Sequence, residues 1–168
     1  MDATLKTGIW QQFGASIDTL DDAISACPDR LWSAVLWNDS DDPRYGQFWF
    51  VAYHTLFWLD LFLTGSSKGF APPEPFIRGV LPEKPYTKDD VLTYLKQCRQ
   101  KCQAAIETLT DEKARRVCTF DWMEPTFHEL QLYSMRHVQE HAAQLSFFLG
   151  QNGVSGQDWI AKAKDKSA

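Results

Sequence analysis

TFHELQLYSMRHVQEHAAQLSFFLG, from Thr126 to Gly150, is the stretch on which the reading of this chain turns. Leu130, Ser134, His137, His141, Leu145 and Phe148 recur at three- and four-residue steps, which is one face of a helix. Thr126 followed by Glu129 has capping-box spacing at its start, and Gly150 is a stop signal at its end. His137 and His141 form H-x-x-x-H. A helical residue turns about 100°, so the pair lies about 40° apart on one face. Both imidazoles can then reach one ion from adjacent turns. The rest of their stripe is mostly apolar, so the pair is expected to point inward.

Working outward, three more long helices are expected. Leu5, Ile9, Phe13, Ile17, Leu20 and Ile24 place the first over Asp2 to Ala26, ended by Cys27-Pro28-Asp29, with a short turn at Leu31 and Trp32. The second runs from about Tyr45 to Thr64 and stops at Gly65. The third opens at Thr87-Lys88-Asp89-Asp90, a capping start, and ends or is re-capped at Thr110-Asp111. Five prolines between Gly65 and Tyr86 forbid a continuous helix there, leaving a long crossover or a pocket-forming lid. Val117 to Trp122 reads as a short extended segment. Gln157 to Lys166 reads as a short terminal helix with Trp159 packing back. Four long helices and little strand signal make an all-α bundle, a single domain over residues 1–168.

His54 is the third histidine of interest. Its neighbours at helical spacing, Phe50, Val51, Phe57, Trp58 and Leu61, are all apolar, so it also faces the interior. A buried neutral imidazole needs partners for both ring nitrogens. One metal shared by His54, His137 and His141 gives each a partner. The plainer reading is three ordinary half-buried histidines, and it is the default for any one of them taken alone. His128 falls on the opposite side of its helix and is left out.

The string H-V-Q-E-H matches the H-x-x-E-H of inverted zinc peptidases, but no Glu follows Glu140 to supply their acidic ligand. Glu140 reads as a solvated carboxylate with at most a rim role. Cys98 and Cys102 stand four apart on the third helix, and all four cysteines read as free thiols. The rings at Trp49, Phe50, Tyr53, Phe57 and Trp58 read as core rather than as a cofactor box. Arg115-Arg116, flanked by Asp111 and Glu112, reads as a solvated helix end.

With 168 residues, 44% of them hydrophobic and 23% charged, the chain can build one core. A net charge of -5 argues against nucleic acid, which needs basic patches to replace counterions. No apolar run approaches the roughly 20 residues of a membrane span, and no secretory leader is recognisable, so a cytoplasmic location is expected.

The inward histidine in FVAYHTLFWLD, with His54 at its centre, and the later RHVQEHAAQL, carrying His137 and His141, together resemble the DinB-like family of bacterial metalloproteins. The resemblance covers nearly the whole chain. It implies an up-down-down-up four-helix bundle, commonly a homodimer. It also implies a divalent metal, usually zinc or nickel, with His54 as the ligand on the second helix and His137 and His141 as those on the fourth. Characterised members include transferases and isomerases that use low-molecular-weight thiols such as bacillithiol or mycothiol.

Three neutral ligands leave the ion's charge uncompensated and a coordination position open, as in catalytic rather than structural zinc sites. Such an ion lowers the pKa of bound water to about 7 and holds a bound thiol as thiolate. The expectation is therefore a metal-dependent enzyme acting on a small-molecule substrate. It either transfers a low-molecular-weight thiol to an electrophile or hydrolyses through metal hydroxide. Tyr53, Glu140 and the Gly65–Tyr86 loop are weak candidates for proton handling or substrate contact. The rival is a non-catalytic bundle that binds metal or a partner as a dimer. Zinc, nickel, iron and manganese all suit the ligands.

Overall fold

The computed structural model describes residues 1–155 and 158–165. Among these, six α-helices and one 3₁₀ turn are present: α1 Ala3–Ala26, α2 Asp29–Trp32, α3 Phe48–Thr64, α4 Lys88–Glu107, α5 Asp111–Arg115 and α6 Phe127–Gln151. The four long helices form the bundle. Each of α1 and α3 packs against both α4 and α6.

Side-chain contacts fix the directions. Lys6 at the start of α1 reaches Glu107 at the end of α4, and Lys88 at the start of α4 reaches Cys27 just past α1, so these two helices are antiparallel. Trp49 meets Tyr86 near the start of α4, while Tyr94 meets Asp60 further along both helices, so α3 and α4 are parallel. Phe48 meets Phe148, and Gln131 donates to the carbonyl of Phe62, so α3 and α6 are antiparallel. The order is up-down-down-up, and the crossover from residue 65 to 87 returns the chain along the bundle.

The helix ends follow local chemistry. The Asp2 carboxylate accepts from the backbone of Thr4 and Leu5, and Thr87 and Asp90 complete a capping box. At α6 only the hydroxyl half forms, with Thr126 accepting from Glu129 N at 3.3 Å. Gly65 ends α3 in the left-handed region at φ 75°, where an added Cβ would also lie 2.5 Å from the Arg116 guanidinium.

Three sequence expectations shift. The second long helix begins at Phe48 rather than near Tyr45, because Pro43–Gly46 is a 3₁₀ turn tied to the preceding segment through Leu36 N to Gly46 O and Phe48 N to Ala34 O. Residues 117–126 close on themselves through isolated bridges, Val117 with Thr126 and Phe120 with Met123. The expected terminal helix is absent from residues 158–165; its ends, Gln157 and Lys166, lie outside the described residues. The backbone there is spent on the bundle instead. Ala163 N donates to Gln11 O, Lys164 N to the Asp18 carboxylate, and Arg99 donates to Lys164 O. Ala163 is buried against Gly14, whereas Trp159 is 84% exposed and does not pack back.

The main core fills the bundle, with Phe13, Ile17, Trp49, Leu56, Tyr94 and Leu145 among its fully buried side chains. A second cluster closes one end around Phe62, Phe120, Phe127 and Leu130. Phe76 and Tyr86 of the crossover belong to the main core, so this stretch is anchored rather than loose. No described helix is long and apolar enough to cross a membrane.

Candidate metal centre

His54 projects from the middle of α3 and His137 and His141 from adjacent turns of α6, where these two antiparallel helices face each other. The Nε2 atoms converge. His137 Nε2 lies 3.4 Å from His54 Nε2 and 3.1 Å from His141 Nε2. All three ligand atoms lie within 4.8 Å of one another, and this is the only such cluster of metal-ligating side chains among the described residues. His128 takes no part in it. Two nitrogens bound to one ion at about 2.0–2.1 Å stand about 2.8–3.4 Å apart, across cis-octahedral and tetrahedral angles. The 3.4 and 3.1 Å separations meet that requirement, so the trio can hold one ion.

Hydrogen-bond accounting favours the same conclusion. His141 Nδ1 is 2.7 Å from Gln144 Oε1. A carbonyl oxygen only accepts, so Nδ1 carries the proton and Nε2 presents its lone pair to the cluster. His137 Nε2 faces two other ring nitrogens, but one proton can serve only one of those contacts. A cation at the centre could take all three lone pairs. His137 Nδ1 is buried with no hydrogen-bond partner among the described residues.

Burial holds two of the rings neutral. It lowers His54 to about 4 and His137 to about 3, with the neighbouring histidines adding to the effect. Both are therefore unprotonated at neutral pH, as a ligand must be. The unfolded chain, with histidines near 6.5, binds protons that the fold refuses. Stability of the metal-free protein is thus fully present above pH 6.5 and is lost as pH falls toward 4 and 3. Between pH 7 and pH 5.5 the two groups together are expected to remove on the order of 2 kcal/mol. Urea unfolding in the presence of chelator measures this directly, and a profile that is flat over the interval would contradict it.

Gln144 was not singled out from the sequence, although it stands three residues after His141 on the same helix and that spacing was the available signal. Gln144→Leu is expected to weaken metal binding about 10–100-fold, the range for losing a partner that orients a ligand. Competition against a chromophoric chelator measures the affinity, and an unchanged value would deny Gln144 this role.

Two cavities share His54 and Trp58 as walls. The larger, about 240 Å³, is lined by Phe50, Tyr53, Phe57 and Trp58 of α3, by Tyr45 and by residues 79–81 of the crossover. The smaller, about 210 Å³, also touches His137 and is bounded by Phe62, Trp122 and Tyr133. The aromatic rings are core, as expected, and four of them also face the cavity. Trp49 and Tyr53 belong to the buried core and Phe50, Phe57 and Trp58 pack against it, while Phe50, Tyr53, Phe57 and Trp58 line the cavity as well. The crossover serves both anticipated purposes, with Phe76 in the core and residues 79–81 at the cavity.

The remaining candidates separate. Tyr53 lines the larger cavity, and burial pushes its hydroxyl far above the usual tyrosine range, so it stays neutral. Glu140 opens onto a different surface, a groove between α1 and α6 that it shares with Arg136 and Gln12. All four cysteines are free and buried. Burial pushes Cys27 up to about 11 and raises Cys98, Cys102 and Cys118, so none offers a thiolate.

The sequence model of the DinB superfamily matches residues 12–145. No curated protein sequence matches the chain. Among solved structures, the DinB-like protein YjoA of Bacillus subtilis is similar in fold, with a TM-score of 0.63, 16% identity, and coverage of 91% of this chain and 97% of that one. The matched span runs from within α1 to near the end of α6 and includes all three histidines, and the chain belongs to the DinB superfamily.

Proposed function

We propose that His54, His137 and His141 hold one divalent ion, zinc or nickel first among the candidates, and that the protein uses it to transfer a low-molecular-weight thiol to a small electrophile. The convergence of three neutral imidazole nitrogens on one point, with no carboxylate or thiolate among them, is the observation that carries this reading. An ion so held supplies an uncompensated double positive charge with coordination positions left open.

The chain's own residues supply the rest. Burial keeps His54 and His137 unprotonated, and Gln144 fixes the His141 tautomer. Phe50, Phe57 and Trp58 surround the approach with apolar surface, which excludes water and strengthens electrostatic interactions inside. Two cavities meeting at the His54–Trp58 wall favour a reaction with two reactants over hydrolysis, which needs room for one reactant and water. In this reading the chain works as a cytoplasmic homodimer, which sedimentation velocity tests separately.

The test is metal content after purification without an affinity tag, followed by conjugation of a panel of small thiols to 1-chloro-2,4-dinitrobenzene. One ion per chain, with turnover abolished in His54→Ala, supports the enzyme. An intact, metal-bound protein that turns over no combination of thiol and electrophile would establish the non-catalytic bundle instead.

A further inference from the structure

The larger cavity has an unusual wall for a site beside a proposed dication. Five aromatic rings line it, and no Asp, Glu, Lys or Arg does. The rings brace one another. Tyr45 meets Phe50 edge-on at 4.9 Å, Phe57 meets Trp58 edge-on at 5.4 Å, and Tyr53 stacks on the core ring Phe76 at 5.2 Å. The box therefore stands formed before any ligand enters, and little ordering has to accompany binding. Its far wall is the crossover at residues 79–81, where Val80 and Leu81 add aliphatic surface.

Size and charge narrow the occupant. At about 240 Å³ the cavity falls below the roughly 300–1,000 Å³ of drug-sized sites and suits a single substituted ring. A carboxylate or phosphate placed among the rings would lose its water with no cation in the wall to replace it. Aromatic faces attract ammonium groups, but the ion proposed at His54 would repel them at this range. A neutral flat group avoids both penalties.

We infer that this box is the subsite for the electrophilic reactant, and that it selects a neutral aromatic or similarly flat apolar group presented to the His54 side of the metal centre. The assignment of the box as a reactant subsite, and its exclusion of cations, rest on the function proposed above; its exclusion of anions rests on the wall alone. The thiol reactant is left the smaller cavity, whose wall includes His137, Trp122 and Tyr133.

Benzyl alcohol, benzoate and benzylammonium share one ring and differ in charge, so they serve as probes. Each is titrated by NMR into the full chain, first with chelator and then with zinc. Benzyl alcohol is expected to bind in the millimolar range, as suits a molecule of about eight heavy atoms, with ring-to-protein NOEs to Phe50, Phe57 and Leu81. Benzoate is expected to bind at least tenfold more weakly with chelator present, when no ion can attract it. Benzylammonium is expected to bind at least tenfold more weakly than the alcohol once zinc is added. Benzoate binding as well as the alcohol under chelator, or alcohol NOEs to any other surface, would overturn the inference.

Val80→Glu supplies a second check at a wall position that is 49% exposed, where folding should be unaffected. It is expected to shift the preference toward benzylammonium by threefold or more under chelator, and an unchanged ratio would remove Val80 and its cavity from the site. Zinc uptake is followed in the same samples. Ring NOEs without zinc uptake would defeat the metal reading and leave standing only the preference of the box for a neutral ring over an anionic one, whereas zinc uptake without ring NOEs would defeat the box alone.

Discussion

His137→Ala is expected to lower zinc affinity by more than about 100-fold while leaving the helical circular-dichroism signal in place. Even a residue that merely orients a ligand is worth about 10–100-fold, so removal of a ligand itself must exceed that range. His137 is the sharpest choice because its Nε2 is the atom shared by both short contacts, at 3.4 Å to His54 and 3.1 Å to His141. The fold should tolerate the change, since the imidazole brings a buried Nδ1 with no described partner and its loss removes a desolvation penalty along with packing. Competition against a chromophoric chelator gives the affinity. Wild-type affinity in the variant would mean that zinc is bound elsewhere.

The largest effect on stability is expected far from the metal centre, at Asp18. This carboxylate is fully buried and takes two hydrogen bonds from Arg99, at 2.8 and 3.2 Å, and one from the backbone of Lys164, at 2.7 Å. It thereby joins α1, α4 and the C-terminal strap. Asp18→Ala leaves the Arg99 guanidinium, only 6% exposed, without its counter-charge. Breaking one side of a buried pair costs about 3–5 kcal/mol, which for a chain of this length lowers Tm by about 6–20 °C. The double variant Asp18→Ala with Arg99→Met should recover much of the loss, because an apolar pair of similar volume carries no unpaired charge. Thermal unfolding followed by circular dichroism reads both. A loss below about 1 kcal/mol in the single variant would show that the pair is solvated in solution.

How much of this could be read from the chain depended on whether neighbouring residues contrasted. On α6, polar and apolar positions alternate at helical spacing, so the inward stripe carrying His137 and His141 stood out, as did Gly150 near its end. The capping box at Thr87 and Asp90 was equally legible because its chemistry lies within four residues. On α3 nearly every face is apolar, so periodicity could show that His54 lies among hydrophobic groups but could not tell which of the core rings also line the cavity. That distinction is made by the crossover at residues 79–81, which approaches α3 from a different part of the chain. The strap at residues 158–165 was misread for a related reason. Its composition permits a helix, but its hydrogen-bond partners, Gln11, Asp18 and Arg99, lie more than sixty residues away and leave no local mark.

Crystals grown with zinc and measured above and below its absorption edge would test the central claim most directly. One anomalous peak per chain is expected, about 2.0–2.1 Å from the Nε2 atoms of His54, His137 and His141 together. A peak on fewer than three of these nitrogens, or on other side chains with this trio left unoccupied, would contradict it.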